Sequence, residues 1–139
     1  MTCYVIDASV ALKWFVPEIH SHSAIRLLDP GNELIAPDLL IAEIGNAIWK
    51  KFTRNEIFPA DAKLVLRYFN SAPITLFPSS LIIEIALNLS IERGCSVYDG
   101  LYLALAVTRK CRMVTADRKF LNSLKNTSLA GLLVWIEEQ

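Results

Sequence analysis

Four carboxylates stand where apolar segments of this 139-residue chain end or helices begin: Asp7, Glu43, Asp99 and Asp117. Asp7 closes the apolar run Cys3-Tyr4-Val5-Ile6, which reads as a buried strand, and Ala8 to Leu12 starts a helix straight after it. Asp117 follows Met113-Val114-Thr115 in the same way, and Glu43 sits in the helix leaving another strand. Asp99 stands in a first helical turn. Parallel strands bring their C-terminal ends to one sheet edge, so these side chains can converge. Like charges held that close raise one another's pKa unless they are neutralised. Hard oxygen ligands with no His or Cys beside them favour Mg²⁺ or Mn²⁺ over zinc. An acid-only metal site that keeps open positions suits phosphodiester hydrolysis.

Each acid also has an ordinary structural reading. Asp7 and Asp117 can cap the helices they precede, and Asp99 fits a capping box with Ser96. Glu43 can lie on a polar stripe with Asn46 and Lys50, or be buried among Leu39, Leu40, Ile44 and Ala47. The two readings of Glu43 are evenly balanced. Ser9, two residues beyond Asp7, can support its carboxylate, and Thr115 ends the strand before Asp117. It is the joint placement of the four that points to a metal.

The elements that must position them alternate between strand and helix. Strands are predicted at Cys3–Ile6, Glu33–Ala36, Ile74–Phe77, Arg112–Thr115 and Leu132–Ile136. Between them fall helices near Ser9–Phe15, Ser21 or Ser23 to Leu28, Asp38 (as cap) to Thr53, Ala60–Phe69, Ser80–Gly94, Ser96–Arg109 and Asp117–Leu124. No repeat or linker interrupts the series. The expectation is one α/β domain over 1–139, with a mainly parallel central sheet covered on both faces.

Hydrophobic residues make up 53% of the chain, more than a small sheet core needs, so an apolar face that pairs with another chain is also expected. With 14 basic and 14 acidic side chains the net charge is zero, and overall charge gives no argument for nucleic acid. Basic residues bunch at Lys50-Lys51-Arg54 and at Arg109-Lys110-Arg112 with Arg118-Lys119, where solvated helix ends are the simpler reading. The three cysteines, Cys3, Cys95 and Cys111, form no CxxC pair and read as small hydrophobes in a reducing cytosol. No signal peptide or membrane span is expected, which places the protein in the cytoplasm. His20 and His22 read as surface residues, and Trp14, Trp49 and Trp135 as core or interface. The glycines make no phosphate loop.

The chain resembles the PIN-domain ribonucleases, and among them the toxin of VapBC-type toxin–antitoxin pairs. The resemblance rests on Val5-Ile6-Asp7-Ala8-Ser9, on Pro37-Asp38-Leu39 leading to Glu43-Ile44-Gly45-Asn46-Ala47, on Ser96-Val97-Tyr98-Asp99-Gly100-Leu101-Tyr102, and on Val114-Thr115-Ala116-Asp117-Arg118-Lys119-Phe120. It implies a three-layer α/β/α fold and Mg²⁺- or Mn²⁺-dependent endonuclease activity on RNA. It also implies homodimerisation and inhibition by a small antitoxin. By position, Asp7, Glu43, Asp99 and Asp117 match the family's metal-binding acids, Ser9 and Thr115 its supporting hydroxyls, and Asn46 a frequent polar helper. Gly100 stands where alanine is usual, so a looser helix start is expected there. Lys119 occupies a place where some relatives carry another acid, which leaves a second metal site unsupported.

Two other classes compete with this reading. A PIN scaffold that binds RNA or a protein without cutting would have no need of all four acids. A phospho-acceptor domain fits worse, because Ser9 stands where such a phosphatase needs a second acid.

Overall fold

The computed structural model describes all residues, 1–139. Five strands form one parallel sheet: β1 (Thr2–Ile6), β2 (Asn32–Pro37), β3 (Thr75–Phe77), β4 (Arg112–Thr115) and β5 (Leu133–Trp135). Seven helices accompany them: α1 (Ala8–Ala11), α2 (Ser21–Arg26), α3 (Leu39–Thr53), α4 (Pro59–Phe69), α5 (Ile83–Arg93), α6 (Val97–Arg109) and α7 (Arg118–Ser123). The sheet order is β3-β2-β1-β4-β5, with Ile6 beside Val114 and Thr115 beside Trp135. Helix α6 packs across β1, β2 and β4 and is backed by α5, while α1 packs on α3 and α3 on α4. The result is the expected three-layer α/β/α arrangement.

The strand order has a functional consequence. From β1 the chain steps outward to β2 and β3, then returns to the other side of β1 for β4 and β5. The direction therefore switches between β1 and β4, and open α/β sheets leave a crevice outside the carboxyl ends of their strands at such a point. Asp7 immediately follows β1, and Asp117 follows β4 after Ala116 alone.

Local chemistry accounts for most boundaries. The apolar ends of β1 and β4 are fully buried, at Val5, Ile6 and Val114. After four residues α1 tightens into a 3-10 turn at Leu12–Trp14, and Pro17 prevents its continuation. Gly94, at φ 75°, closes α5 in the left-handed region that glycine adopts without strain.

Three local expectations give way to other contacts. Asp38 occupies the cap position of α3 but makes no cap hydrogen bond. Its Oδ1 instead accepts from the Ser79 amide (3.1 Å) and the Ser79 hydroxyl (2.5 Å), tying β2 to the turn after β3. His20, rather than either serine, stands at the cap position of α2, and Ser21 Oγ accepts from the Glu18 amide. Cys3 and Cys111 are not separate small hydrophobes: they are joined in a disulfide across β1 and the start of β4, leaving only Cys95 free. That bridge closes a loop of 108 residues at the sheet edge opposite the acids.

Gly100 reverses its expectation as well. A Cβ there would lie 2.7 Å from the Ala86 carbonyl oxygen and 3.0 Å from Ser90 Oγ, so α5 and α6 meet more closely than alanine allows. In an open helix Gly→Ala gains about 1 kcal/mol. Here overpacking opposes it with about 1–3 kcal/mol. We expect Gly100→Ala to lower the denaturation midpoint; an unchanged or raised midpoint would show that the two helices part freely.

Candidate functional site

Asp7, Glu43, Asp99 and Asp117 all reach the carboxyl edge of the sheet at the switch between β1 and β4. Asp7 feels the negative charge of Glu43 and Asp99, and Asp99 that of Asp117. The acids thus form an arc, Glu43–Asp7–Asp99–Asp117, across the ends of α3, β1, α6 and β4.

The capping roles are real and coexist with this placement. Asp7 Oδ1 accepts from the Val10 amide at 3.1 Å and from the Ser9 hydroxyl at 2.7 Å. Asp117 Oδ1 accepts from the Phe120 amide at 3.1 Å. Ser96 Oγ accepts from the Asp99 amide at 3.1 Å, which pins the first turn of α6 and with it the acid. In both Asp7 and Asp117 one carboxylate oxygen caps a helix, and the other takes no hydrogen bond from the protein. Thr115 is fully buried, and its Oγ1 accepts from the Asp117 amide at 3.0 Å, so it shapes the turn that aims Asp117.

Glu43 resolves the even balance left by the sequence. It is half-buried and makes no ion pair with Lys50; instead the Tyr102 hydroxyl donates to Glu43 Oε1 at 2.5 Å. Tyr102 is 2% exposed, so the phenol rises from the core of α6 to hold the acid from below. Burial, the hydrogen bond to Glu43 and the surrounding negative charge hold its hydroxyl far above the usual range, and it remains a donor. The role of Tyr102 was not evident from the sequence. Its spacing of three from Asp99 on one helix is the signal that puts both on the same face.

The electrostatics favour a cation. Burial of its carboxyl raises Asp7 from 3.8 to about 6, the charges of Glu43 and Asp99 push the same way, and the Ser9 and Val10 hydrogen bonds only partly oppose them. Asp99 is also raised, first by burial and then by Asp117, against the opposing Ser96 hydrogen bond. No three acid, His or Cys side chains close in tightly enough to form a ready-made metal cage. An open arc of carboxylates fits Mg²⁺, which keeps several waters and takes only one or two carboxylates.

Two cavities flank the arc. One, of about 480 Å³, lies between α1, α3 and α6 and is lined by Ser9, Glu43, Asn46, Lys50 and Tyr98 among others. The other, of about 270 Å³, is lined by Ser96, Asp99, Asp117 and Lys119. The basic cluster on α3 is divided in its duties. Lys51 is held by Glu18 (2.6 Å) and Glu56 (3.6 Å), with the buried Lys13 also on Glu18 (3.6 Å), whereas Lys50 is exposed. His20 faces Glu137 and Trp135, and His22 is exposed, so these histidines form no metal pair.

Comparison with known proteins agrees with the fold. The family model described as the PIN domain matches residues 4–123. Ribonuclease VapC3 of Pyrobaculum aerophilum is 29% identical over 119 residues, covering 83% of this chain and 89% of that protein. VapC ribonuclease Mb0985 of Mycobacterium bovis is 31% identical over 113 residues, covering 81% and 84%. The crystal structure of PAE2754 from P. aerophilum superposes with a TM-score of 0.70 at 25% identity, over 98% of this chain and 85% of that one. VapBC2 of Rickettsia felis, bound to a promoter DNA fragment, shares the fold at a TM-score of 0.65 and 13% identity, over 96% and 98%. The chain belongs to the PIN-domain family and, within it, to the VapC group.

Proposed function

We propose that this protein is a metal-dependent endoribonuclease acting as the toxin of a toxin–antitoxin pair. The observation that carries the proposal is the arc of four acids at the β1/β4 switch point, one of them a carboxyl raised to about 6. Asp7, Asp99 and Asp117 would hold Mg²⁺ or Mn²⁺, directly or through water, and Glu43 completes the negative pocket. A bound ion of this kind lowers the pKa of a water and offsets charge on the phosphate. Glu43, oriented by Tyr102, is the general base that takes a proton from the attacking water. Ser9 and Thr115 keep Asp7 and Asp117 aimed.

Cleavage of a mixed RNA pool with Mg²⁺, with Mn²⁺ and with EDTA tests this, wild type beside Asp7→Asn. Metal-dependent cutting lost in the variant supports the proposal. RNA that is retained but never cut in any condition would favour the non-catalytic binding module. Equal cutting by both proteins would remove Asp7 from the mechanism.

Two surfaces support the partners. Helix α5 buries only Ala86 among its own residues and exposes Ile83, Leu87 and Ile91 at helical spacing, with Leu81 preceding them. A convex stripe of one helix can meet its own copy about a two-fold axis, and we assign the homodimer to it. Leu87→Lys is expected to yield a monomer in light scattering with unchanged circular dichroism; a persisting dimer would move the interface elsewhere. The second surface is concave, an apolar cavity of about 320 Å³ between α3 and α4 lined by Ile48, Trp49, Phe52 and Leu66. A groove of this kind receives an amphipathic segment, and we assign the antitoxin to it. A segment lying there runs along the helix that carries Glu43. No helix is long and apolar enough to cross a membrane, and the proposed site of action is the cytoplasm.

A further inference from the structure

The 480 Å³ cavity beside Glu43 contains binding groups for which the acid arc has no use. Its volume falls within the roughly 300–1,000 Å³ of small-ligand pockets. Tyr98, in the first turn of α6, is 62% exposed although its ring lines the cavity. Asn46 and Lys50, one and two turns beyond Glu43 on α3, line it too. None of these three side chains makes a hydrogen bond or an ion pair within the protein; at Lys50 only the backbone carbonyl is engaged by its neighbours at the helix end, accepting from the Thr53 hydroxyl and the Arg54 amide. An aromatic face, an amide and a cation therefore surround one opening, all three unpartnered, with a carboxylate of the reaction centre on its wall.

Resting on the ribonuclease reading, we infer that this cavity is a nucleotide subsite for single-stranded RNA, in which Tyr98 stacks the base next to the scissile phosphate. Asn46 reads the base edge with its amide, and Lys50 holds the neighbouring phosphate. The chemistry of the three groups matches the three parts of a nucleotide. Every base offers a π-face, so an aromatic platform accepts any unstacked nucleotide. An amide offers both donor and acceptor to the edge a base exposes once it leaves a duplex. Lys50 is the only cation lining this cavity, so it also keeps the polyanion from being repelled by the acids beside it. A paired base cannot turn into such an opening without unstacking, so the subsite selects single strands over duplex.

The test uses fluorescent random-sequence RNA of about ten nucleotides, the scale of single-strand binding sites. Binding is measured in EDTA to the full-length Asp7→Asn protein and to the same protein carrying a second change. We expect Tyr98→Ala to weaken single-strand binding by about 5- to 100-fold, one base stack, with Tyr98→Phe retaining it. Lys50→Gln should lower the salt slope of binding by about one. In otherwise wild-type enzyme Tyr98→Ala should raise KM more than it lowers kcat. Unweakened binding in Tyr98→Ala, or equal loss in Tyr98→Phe, overturns the subsite while wild-type cleavage leaves the ribonuclease reading intact. Duplex bound as well as single strand overturns it too. RNA neither bound nor cut by any form overturns both.

Discussion

Asp7→Asn is expected to abolish RNA cleavage and at the same time to stabilise the metal-free protein. Loss of groups that merely support a metal ligand costs 10- to 100-fold, so on the proposed metal role loss of Asp7 itself should cost at least about 100-fold. The gain in stability follows from the raised carboxyl. Asp7 titrates at about 6 when folded against 3.8 as its ordinary value. Below 3.8 it is neutral in both states and carries no penalty. Between 3.8 and about 6 the unfolded chain gives up the proton that the folded protein keeps, so the penalty grows with pH, and above 6 it is complete. A neutral isostere removes it, by at most about 3 kcal/mol at neutral pH. Asparagine caps a helix as well as aspartate does, so the Val10 hydrogen bond need not be lost.

Melting curves with and without Mn²⁺ between pH 4 and pH 8 check both halves. The metal-free variant should melt above wild type at neutral pH, with the difference fading towards pH 4. Wild type should gain stability from Mn²⁺ at neutral pH and lose that gain as protons displace the ion below about 6. A metal-free variant less stable than wild type at neutral pH would mean that the cap outweighs the buried charge.

Tyr102→Phe is the second large effect. The ring stays in the core, so packing is kept, and one hydrogen bond to Glu43 disappears. Supporting hydrogen bonds of this kind are worth 10- to 100-fold in activity or metal affinity, and we expect a loss in that range, in kcat more than in KM. If Tyr102 acts only through Glu43, the two changes are strongly non-additive. On a Glu43→Gln background, Tyr102→Phe should then alter cleavage little further. A full additional loss in the double variant would mean that Tyr102 works by another route.

These two residues also mark how far the sequence could be read. Asp7 was legible because its signals are local. An apolar run, a carboxylate and a helix start lie within a dozen residues, and caps and strand ends are governed by forces that act over one helical turn. Asp117 and Asp99 share that advantage. Glu43 did not, since its neighbours on α3 allow either a solvated stripe or a buried pocket. The choice was made by Tyr102, 59 residues away.

Distance in sequence explains the other departures. Asp38 leaves its own helix for Ser79, 41 residues on, because β3 lies beside β2 and presents that turn to it. Cys3 and Cys111 meet because β4 is laid next to β1. Gly100 reads in the sequence as a loosened helix start, but α5 packs where a methyl group would stand.

By itself, then, the sequence determined the succession of strands and helices, the buried faces and the helix caps made by Asp7, Ser96 and Asp117. All of these follow from hydrophobic periodicity and local hydrogen bonding. Only the tertiary structure decided the strand order that puts the reversal between β1 and β4, the hydroxyl that holds Glu43, and the cavity that joins Tyr98 to Asn46 and Lys50. Those depend on which surfaces bury best against one another across long stretches of chain, and no local pattern encodes that choice.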